Sequence, residues 1–319
     1  MTLSDPNFPK YLDIQPSAFS CAHNSSASYN LYGHELQKQA IERYGIAGRV
    51  WEAAYILNIY LNPPPSLIFD PPFFEAERRS ESIRILELGS GSGMIGVNVA
   101  RSLHSHLSDL LVLTDLPEVC PLLESKLQDE FKDHGQRDLI FVRPLAWGNS
   151  EHAHHIKFDL LTHQRSGPFT HILCSDLVYF PELLAPLLRT LIELSSHPFA
   201  DSQLQVLISY KIRSLPKECP FWAAFGLWFT FKPVLACEQL SDGSTSSWQR
   251  FGSSFEGPMF IFVAQRRPES LDWIIPSDDR DLLEGLGAYG TMHAKSDDTF
   301  ESILFMSLPD TEFSTGSLN

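Results

Sequence analysis

A glycine-rich turn between a buried strand and a helix carries the clearest chemistry in the 319-residue chain. It reads ELGSGSGMIG from Glu87 to Gly96 and follows a compact apolar run at 83–88. Glycine is needed where the chain turns tightly, because a side chain would block a ligand that approaches the backbone. At the carboxyl end of a strand in an α/β sheet, such a turn binds a nucleotide-like ligand. We therefore predict a nucleoside-cofactor site here.

Two cofactor classes fit the glycines of this turn. Gly91, Gly93 and Gly96 spell G-x-G-x-x-G, the dinucleotide pattern, whereas Glu87, Gly89, Gly91 and Gly93 spell E-x-G-x-G-x-G, the methyltransferase pattern. S-adenosylmethionine carries a sulfonium and an ammonium but no phosphate, so a carboxylate at the turn favours it over a pyrophosphate. The glycines alone leave both frames open, because an isolated G-x-G-x-x-G is a weak signal.

A second carboxylate, Asp115, ends the next predicted strand. A carboxylate at this position accepts hydrogen bonds from both ribose hydroxyls of a bound nucleoside. It therefore supports nucleoside binding without choosing between the two cofactors. The alternative for the whole segment is a glycine turn that only packs a helix on a sheet.

The surrounding pattern predicts an α/β fold. Apolar runs typical of strands lie at 83–88, 110–114, 139–142, 170–174, 204–210, 229–235 and 259–264. Helical patterns lie at 50–60, 95–103, 181–194 and 220–226, and Pro117 is expected at the first position of a further helix. Strands that alternate with helices predict a parallel, doubly wound, Rossmann-like sheet. The last two strands have no helix between them, which predicts an antiparallel hairpin at one edge.

Composition suggests three regions and restricts the partners. We expect an N-terminal extension at 1–40, a cofactor-binding domain at 41–268 and a peripheral C-terminal tail at 269–319. The chain has 24 Lys and Arg against 39 Asp and Glu, a net charge of −15. Nucleic acid is disfavoured as a partner, because phosphate binding needs clustered basic side chains. A basic protein surface or a cationic small molecule matches this charge better.

The cysteines and the apolar runs indicate an intracellular protein. The five cysteines are widely spaced and form no C-x-x-C pair, so neither a disulfide framework nor a thiolate metal site is expected. The N-terminus lacks the basic and apolar regions of a signal peptide. No run reaches the roughly 18 apolar residues of a membrane span. We expect a cytoplasmic protein, or one that is also nuclear, without a membrane or metal partner.

Four short motifs at successive positions give a more specific resemblance. They are GRVWEAA at 48–54, the glycine turn, LAWG at 145–148 and SDLVY at 175–179. Together they resemble the seven-β-strand protein-lysine methyltransferases of the methyltransferase-like 21 group, which belong to the family 16 methyltransferases. The resemblance covers about 48–267. It implies a seven-stranded, mostly parallel methyltransferase sheet and S-adenosylmethionine-dependent transfer of methyl to a lysine amine of a protein.

The resemblance also implies a role for each site residue. The cofactor-binding residues would be Trp51, Glu87, Gly89, Ser90, Gly91, Gly93, Asp115, Trp147 and Ser175. Trp51 would lie near the methionine end of the cofactor, Asp115 would hold the ribose and Trp147 would pack by the adenine. Asp176 and Tyr179 match a D-x-x-Y motif tied to catalysis and lysine placement. Family substrates include translation elongation factor 1A and molecular chaperones.

Simpler interpretations exist for these residues. Trp51 fits the core side of an amphipathic helix, Trp147 fits a packed turn, and Asp176 could cap the helix that begins near Pro181. Tyr179 could close the top edge of the sheet. Three rival functions also remain: an NAD-dependent oxidoreductase, a small-molecule N-methyltransferase and a non-catalytic interaction protein on the same fold.

Two further segments have less informative patterns. His152, His154 and His155 are expected in a polar surface loop rather than in a metal site, because only carboxylates and no cysteine lie nearby. The run YKIR, which ends at Arg213, follows the fifth predicted strand. It fits the wall of a substrate channel and a solvated strand end equally well.

Overall fold

The structure is a computed structural model that describes residues 5–18, 32–73, 81–132, 135–162, 167–240, 243–253, 255 and 258–306. Its helices are α1 His34–Tyr44, α2 Glu52–Leu61, α3 Met94–Ala100, α4 Cys120–Glu130, α5 Ser150–Thr162, α6 Pro181–Leu194, α7 Leu215–Trp228, α8 Asp279–Leu283 and α9 Thr299–Met306. Its strands are β1 Leu67–Asp70, β2 Arg84–Leu88, β3 Leu110–Asp115, β4 Ile140–Pro144, β5 Phe169–Ser175, β6 Ala200–Lys211, β7 Phe229–Pro233, β8 Leu235–Glu238, β9 Gln249–Arg250 and β10 Met259–Arg266.

A seven-stranded sheet organises the chain in the order β4-β3-β2-β5-β6-β10-β7. The first five strands are parallel, and β10 runs antiparallel to both β6 and β7. Every residue of β2 is buried, as expected for a parallel strand covered by helices on both faces. The predicted fold class, a mostly parallel α/β sheet with antiparallel strands at one edge, is confirmed.

Two apolar clusters fill the space on the two faces of the sheet. One contains Leu188 of α6, Trp222 of α7 and Phe300 of α9. The other contains Leu57 of α2 and Leu123 of α4. Because the helices cover both faces, the site has to form at the end of the sheet, where the loops after the parallel strands meet. None of the helices in the described ranges is long and apolar enough to cross a bilayer.

Helix α5 is absent from the sequence prediction. Its buried residues are Ala153, Ile156 and Leu160, which occur at helical spacing. Only two of the three are large, and the large apolar residue Phe158 lies on the exposed side of the helix, so the pattern is weak. The expectation that His152, His154 and His155 lie in a loop is therefore wrong, since all three lie on α5.

Two other local expectations also differ from the structure. Residues 117–119 form a turn, and α4 begins only at Cys120, with Pro121 in its first turn. A proline does start this helix, but it is not Pro117. In addition, the sequence patterns place no strand between residues 61 and 83, but β1 lies there and forms a separate three-stranded antiparallel sheet with β8 and β9.

Residues 269–306, the described part of the predicted tail, contribute side chains to the core, although the composition favoured a peripheral tail. Leu282, Ala288, Phe300 and Ile303 belong to the same apolar cluster as α6 and α7. The Phe300 ring stacks on Trp222, with 5.0 Å between ring centroids. Exposed acidic residues between these anchors hide them in the sequence. The division into three regions at residues 40 and 268 stays a prediction.

The packing of α9 predicts a stability effect. Phe300 is 2% exposed, so Phe300→Ala should lower the free energy of unfolding by about 3 to 5 kcal/mol, the usual cost of emptying a large core site. Phe305 lies on the same helix but is 73% exposed. Phe305→Ala should therefore change the free energy of unfolding by less than about 0.5 kcal/mol. Urea unfolding followed by circular dichroism measures both. Equal small effects would mean that α9 does not belong to the core.

Candidate active site

A cavity of about 520 Å³ opens at the carboxyl ends of β2, β3, β5 and β6. All of the sequence-predicted site residues except Gly93 line it: Trp51, Glu87, Gly89, Ser90, Gly91, Asp115, Trp147, Ser175, Asp176 and Tyr179. The residues come from five separate stretches of sequence. They meet because parallel strands deliver their carboxyl ends to one edge of the sheet.

The glycine turn forms the floor of the cavity. Gly89, Gly91 and Gly93 adopt left-handed backbone angles, with φ of 56°, 52° and 79°, a region that glycine enters without steric cost. The Ser90 amide donates to the carbonyl of Thr114 on the neighbouring strand at 2.9 Å, which fixes the turn against β3. Gly93 is the N-cap residue of α3 and does not line the cavity. It shapes the turn, and Gly89 and Gly91 face the ligand space.

Glu87 presents a buried carboxylate beneath the turn. Its Oε2 atom has no hydrogen-bond partner among the described residues. Burial raises the pKa of this carboxyl to about 8, and the charge of Asp115 adds to the effect, although hydrogen bonds from Ser90 and Gly96 oppose it. Leaving a buried carboxylate oxygen unpaired is costly. A cationic ligand in the cavity would relieve that cost, which fits a cofactor with a sulfonium and an ammonium.

Asp115 has backbone partners for both of its oxygens. Oδ2 accepts from the Gly91 amide at 2.7 Å, and Oδ1 accepts from the Leu116 amide at 2.8 Å. Burial raises the pKa of Asp115 to about 6, while these two amides oppose the rise. Each carboxylate oxygen has two lone pairs, so the amides fix the group and leave acceptor capacity for ribose hydroxyls.

Asp176 forms a two-pronged ion pair with Arg213. Nη1 and Nη2 of Arg213 donate to Oδ1 and Oδ2 of Asp176, both at 2.6 Å, and the Asp176 side chain has no exposed surface. The backbone of Asp176 is left-handed, with φ of 62°, which is uncommon outside glycine. Helix α6 has Phe180 as its N-cap residue and no side-chain cap. Asp176 is thus not a helix cap, because its carboxylate belongs to the cavity.

Two guanidinium groups lie close to the Trp51 ring, which lines the cavity. The Cζ atoms of Arg49 and Arg213 lie 4.6 and 5.3 Å from the Trp51 ring centroid. The indole Nε1 donates to the carbonyl of Ile46 at 3.0 Å, which fixes the orientation of the ring. Trp51 is half-buried and precedes the first residue of α2. It therefore forms a wall of the cavity rather than part of the helix core.

A second aromatic wall faces the glycine turn. The Trp147 and Tyr179 rings meet edge to face, with 6.3 Å between centroids, and Phe180 packs on Tyr179 at 4.7 Å. Burial raises the pKa of the Tyr179 hydroxyl, so this group stays neutral at physiological pH. Ser175 lies between the aromatic wall and β6 and accepts from the Ser209 hydroxyl at 3.3 Å.

The N-terminal segment supplies cavity residues that the sequence did not indicate. Pro6, Asn7 and Leu12 line the cavity. The Asn7 carbonyl accepts from the Ile46 amide at 2.9 Å, next to Gly45. A Cβ atom at Gly45 would lie 1.7 Å from that carbonyl oxygen. A short polar stretch with two prolines has no periodic pattern, so no sequence signal marks this contact.

Helix α7 and the turn before it also supply cavity residues. The sequence does not predict Lys217 and Glu218, and it leaves the role of the YKIR run undecided. Lys217 and Glu218 line the cavity together with Arg213. Glu218 is 1% exposed and accepts from the amides of Arg213 and Ser214, at 3.3 and 2.9 Å, so it fixes the turn between β6 and α7. Of the YKIR run, Arg213 lines the cavity, whereas Tyr210 is buried in the core. The sequence signal that could have identified Arg213 is the short basic run at the end of β6.

The histidines of α5 lie outside this cavity. The His152 Nδ1 atom accepts from the Ala146 amide at 3.1 Å, which ties α5 to the loop that carries Trp147. Within the described ranges, no three His, Cys, Asp or Glu side chains converge as metal ligands would.

Comparisons with known proteins agree with the geometry of the site. A family model described as lysine methyltransferase matches residues 31–222, which is more than half of the chain. The chain belongs to the lysine methyltransferase family. Its cofactor is S-adenosylmethionine. The matched range includes the glycine turn, Asp115, the aromatic wall and Arg213, but it excludes the N-terminal segment and α9.

Named relatives each match more than half of this chain. The protein N-lysine methyltransferase METTL21A of Xenopus tropicalis is 27% identical over 70% of this chain and 88% of its own length. METTL21A of Danio rerio is 29% identical over 61% of this chain and 75% of its own. The EEF1A lysine methyltransferase 3 of Mus musculus is 26% identical over 58% of this chain and 65% of its own.

Glu87 predicts how stability depends on pH. The pKa of Glu87 is about 8 in the folded chain and 4.5 ordinarily, so the folded chain holds a proton that the unfolded chain releases. Stability is then full at low pH and falls as the pH rises through 8. Between about pH 6.5 and 8.5 we expect the free energy of unfolding to fall by about 2 kcal/mol.

The matched variant for this prediction is Glu87→Gln, which keeps the shape of the protonated acid and cannot titrate. Its free energy of unfolding should stay flat over the same range, as measured by urea unfolding without cofactor. Saturating S-adenosylmethionine should flatten the wild-type profile, because a cation favours the ionised carboxylate. Parallel profiles for the wild type and the variant would contradict the role given to Glu87.

Proposed function

We propose that this protein is an S-adenosylmethionine-dependent N-methyltransferase that methylates a lysine of a protein substrate. Membership of the lysine methyltransferase family supports this proposal, and so do the names of its METTL21A relatives. The observation that carries it is the single cavity in which the Glu87, Asp115 and Asp176 carboxylates meet two aromatic walls. A translation elongation factor or a chaperone is the proposed class of substrate, and the cytoplasm, or also the nucleus, the proposed location.

The acceptor nitrogen must be neutral before it can be methylated. Free lysine has a pKa of about 10.4, so removing its proton at pH 7 costs about 5 kcal/mol. Aromatic walls reduce this cost, because they exclude water from the side chain and water stabilises the charged form. Trp51 and Tyr179 are the proposed walls of the lysine channel, and bulk water takes the proton.

The remaining task is to align the amine. When bound, S-adenosylmethionine supplies a methyl group that passes from its sulfonium sulfur to the lysine nitrogen and leaves S-adenosylhomocysteine. Asp115 and the turn around Gly89 would hold the nucleoside, and Glu87 would balance its positive charge. Asp176 would orient the amine through its N–H groups. Arg213 already fixes the plane of that carboxylate, which favours one amine orientation.

Labelling of a cell lysate tests this function. The protein is incubated with lysate and S-adenosylmethionine that carries a radiolabelled methyl group, and the products are separated by size. We expect a labelled protein band, with methyl-lysine found by mass spectrometry. Label confined to small molecules would favour a small-molecule N-methyltransferase, and no label would favour a non-catalytic protein.

The variant Asp176→Asn tests the division of roles. Asparagine keeps the size of the side chain and tolerates the left-handed backbone. We expect the labelling rate to fall at least about 100-fold, the range typical of a lost orienting group. Cofactor affinity, measured by calorimetry, should stay within a few-fold. Asp272 is exposed, so Asp272→Asn is the matched control and should label protein at the wild-type rate. An equal loss of cofactor affinity in Asp176→Asn would contradict this assignment.

A further inference from the structure

Arg213 is the charged group that covers Asp176 at the mouth of the cavity. The Arg213 side chain keeps 28% of its surface exposed, while the Asp176 side chain beneath it has none. An acceptor lysine that enters the cavity therefore meets a guanidinium before it meets the carboxylate. Burial lowers the pKa of Arg213, but the hydrogen bonds to Asp176 and the charges of Asp176, Glu52 and Glu218 together raise it, so the group stays charged.

The pairing changes the electrostatics of the channel. An exposed Asp176 carboxylate would attract an ammonium and keep the lysine protonated, which prevents methyl transfer. The two-pronged pair with Arg213 neutralises that carboxylate over both oxygens. Among the described residues Oδ2 accepts only from Arg213, so one of its lone pairs can still accept from an amine. The site thus retains an acceptor for an N–H group without a net negative charge.

Other charged groups face Arg213 from each neighbouring element. Glu52 of α2 lies 3.5 Å from Arg213 and is itself paired with Arg49 at 2.5 Å and with Lys211 at 3.8 Å. The remaining ionisable residues that line the cavity are Glu87, Asp115, Tyr179, Lys217 and Glu218. In the set of Arg49, Glu52, Asp176, Lys211 and Arg213 the cations outnumber the anions. The effect of each group on an acceptor lysine therefore follows its sign: Arg213 disfavours the ammonium form, and Glu52 favours it.

We propose that Arg213 promotes loss of the proton from the acceptor lysine, by neutralising Asp176 and presenting a positive charge to the channel. This inference rests on the proposed function. A like charge nearby favours the neutral form of an amine. The proton leaves to bulk water before the N–C bond forms, and the neutral amine then donates an N–H hydrogen bond to the Asp176 carboxylate. Glu52, an anion near the same guanidinium, acts in the opposite direction.

The pH dependence of labelling tests this inference. Initial rates of protein labelling are measured from about pH 6 to pH 10 with total lysate protein as the acceptor and saturating labelled S-adenosylmethionine. Saturation keeps the ionisation of Glu87 and Asp115 the same in all variants. In Arg213→Gln the midpoint of the rising limb should move up by about one pH unit. In Glu52→Gln the midpoint should move down.

Two further variants separate charge from structure. Arg213→Lys keeps the positive charge, so it should restore most of the wild-type midpoint even if the rate is lower. Arg43→Gln removes an equal charge from an exposed position outside the cavity and should match the wild type. Calorimetric titration with S-adenosylhomocysteine should give affinities within a few-fold for all variants, which shows that the cofactor site remains intact.

The outcomes distinguish this inference from the proposed function. A wild-type midpoint retained in Arg213→Gln, or a shift in the same direction in Glu52→Gln, would overturn the role of Arg213 and leave the methyltransferase function standing. If Arg213→Gln has no measurable rate, Glu52→Gln decides: a lower midpoint supports the inference, and an unchanged or higher one overturns it. If the wild type labels no protein, the proposed function fails, and the role of Arg213 fails with it.

Discussion

The cavity depends on how three carboxylates are stabilised at one end of the sheet. Burying a carboxylate is costly unless it is paired or hydrogen-bonded. Asp176 is paired with Arg213, and Asp115 accepts from two backbone amides. Glu87 keeps an oxygen without a partner among the described residues. The three carboxylates are thus stabilised in different ways: one by an arginine, one by backbone amides, and one without a partner for one of its oxygens.

The fold and most of the site could be predicted from the sequence, because both follow from local patterns. The apolar run of β2 and the spaced glycines after it identify a strand, a turn and a cofactor edge. Asp115 and Asp176 follow strands in the same way, so topology alone brings them together. Trp51, Trp147, Ser175 and Tyr179 were instead predicted through the resemblance to a known methyltransferase family, and the structure places them around the same cavity.

Other parts depend on contacts between segments that are distant in sequence. Asn7 reaches the cavity because its carbonyl accepts from Ile46, and a polar N-terminal stretch carries no sign of this. Phe300 enters the core from an acidic tail. The pairing of Arg213 with Asp176 links the ends of β5 and β6, and a basic residue after a strand does not name its partner. The roles of the individual site residues accordingly remain predictions.

The central claim is that the cavity holds S-adenosylmethionine with its charged end at Glu87 and its ribose at Asp115. A crystal structure of the protein with S-adenosylhomocysteine bound tests this directly. The account predicts ribose hydroxyls within hydrogen-bond distance of Asp115, the adenine beside Trp147 and the amino-acid end beside Trp51. Cofactor bound elsewhere, or in this cavity with its ribose away from Asp115, would contradict it.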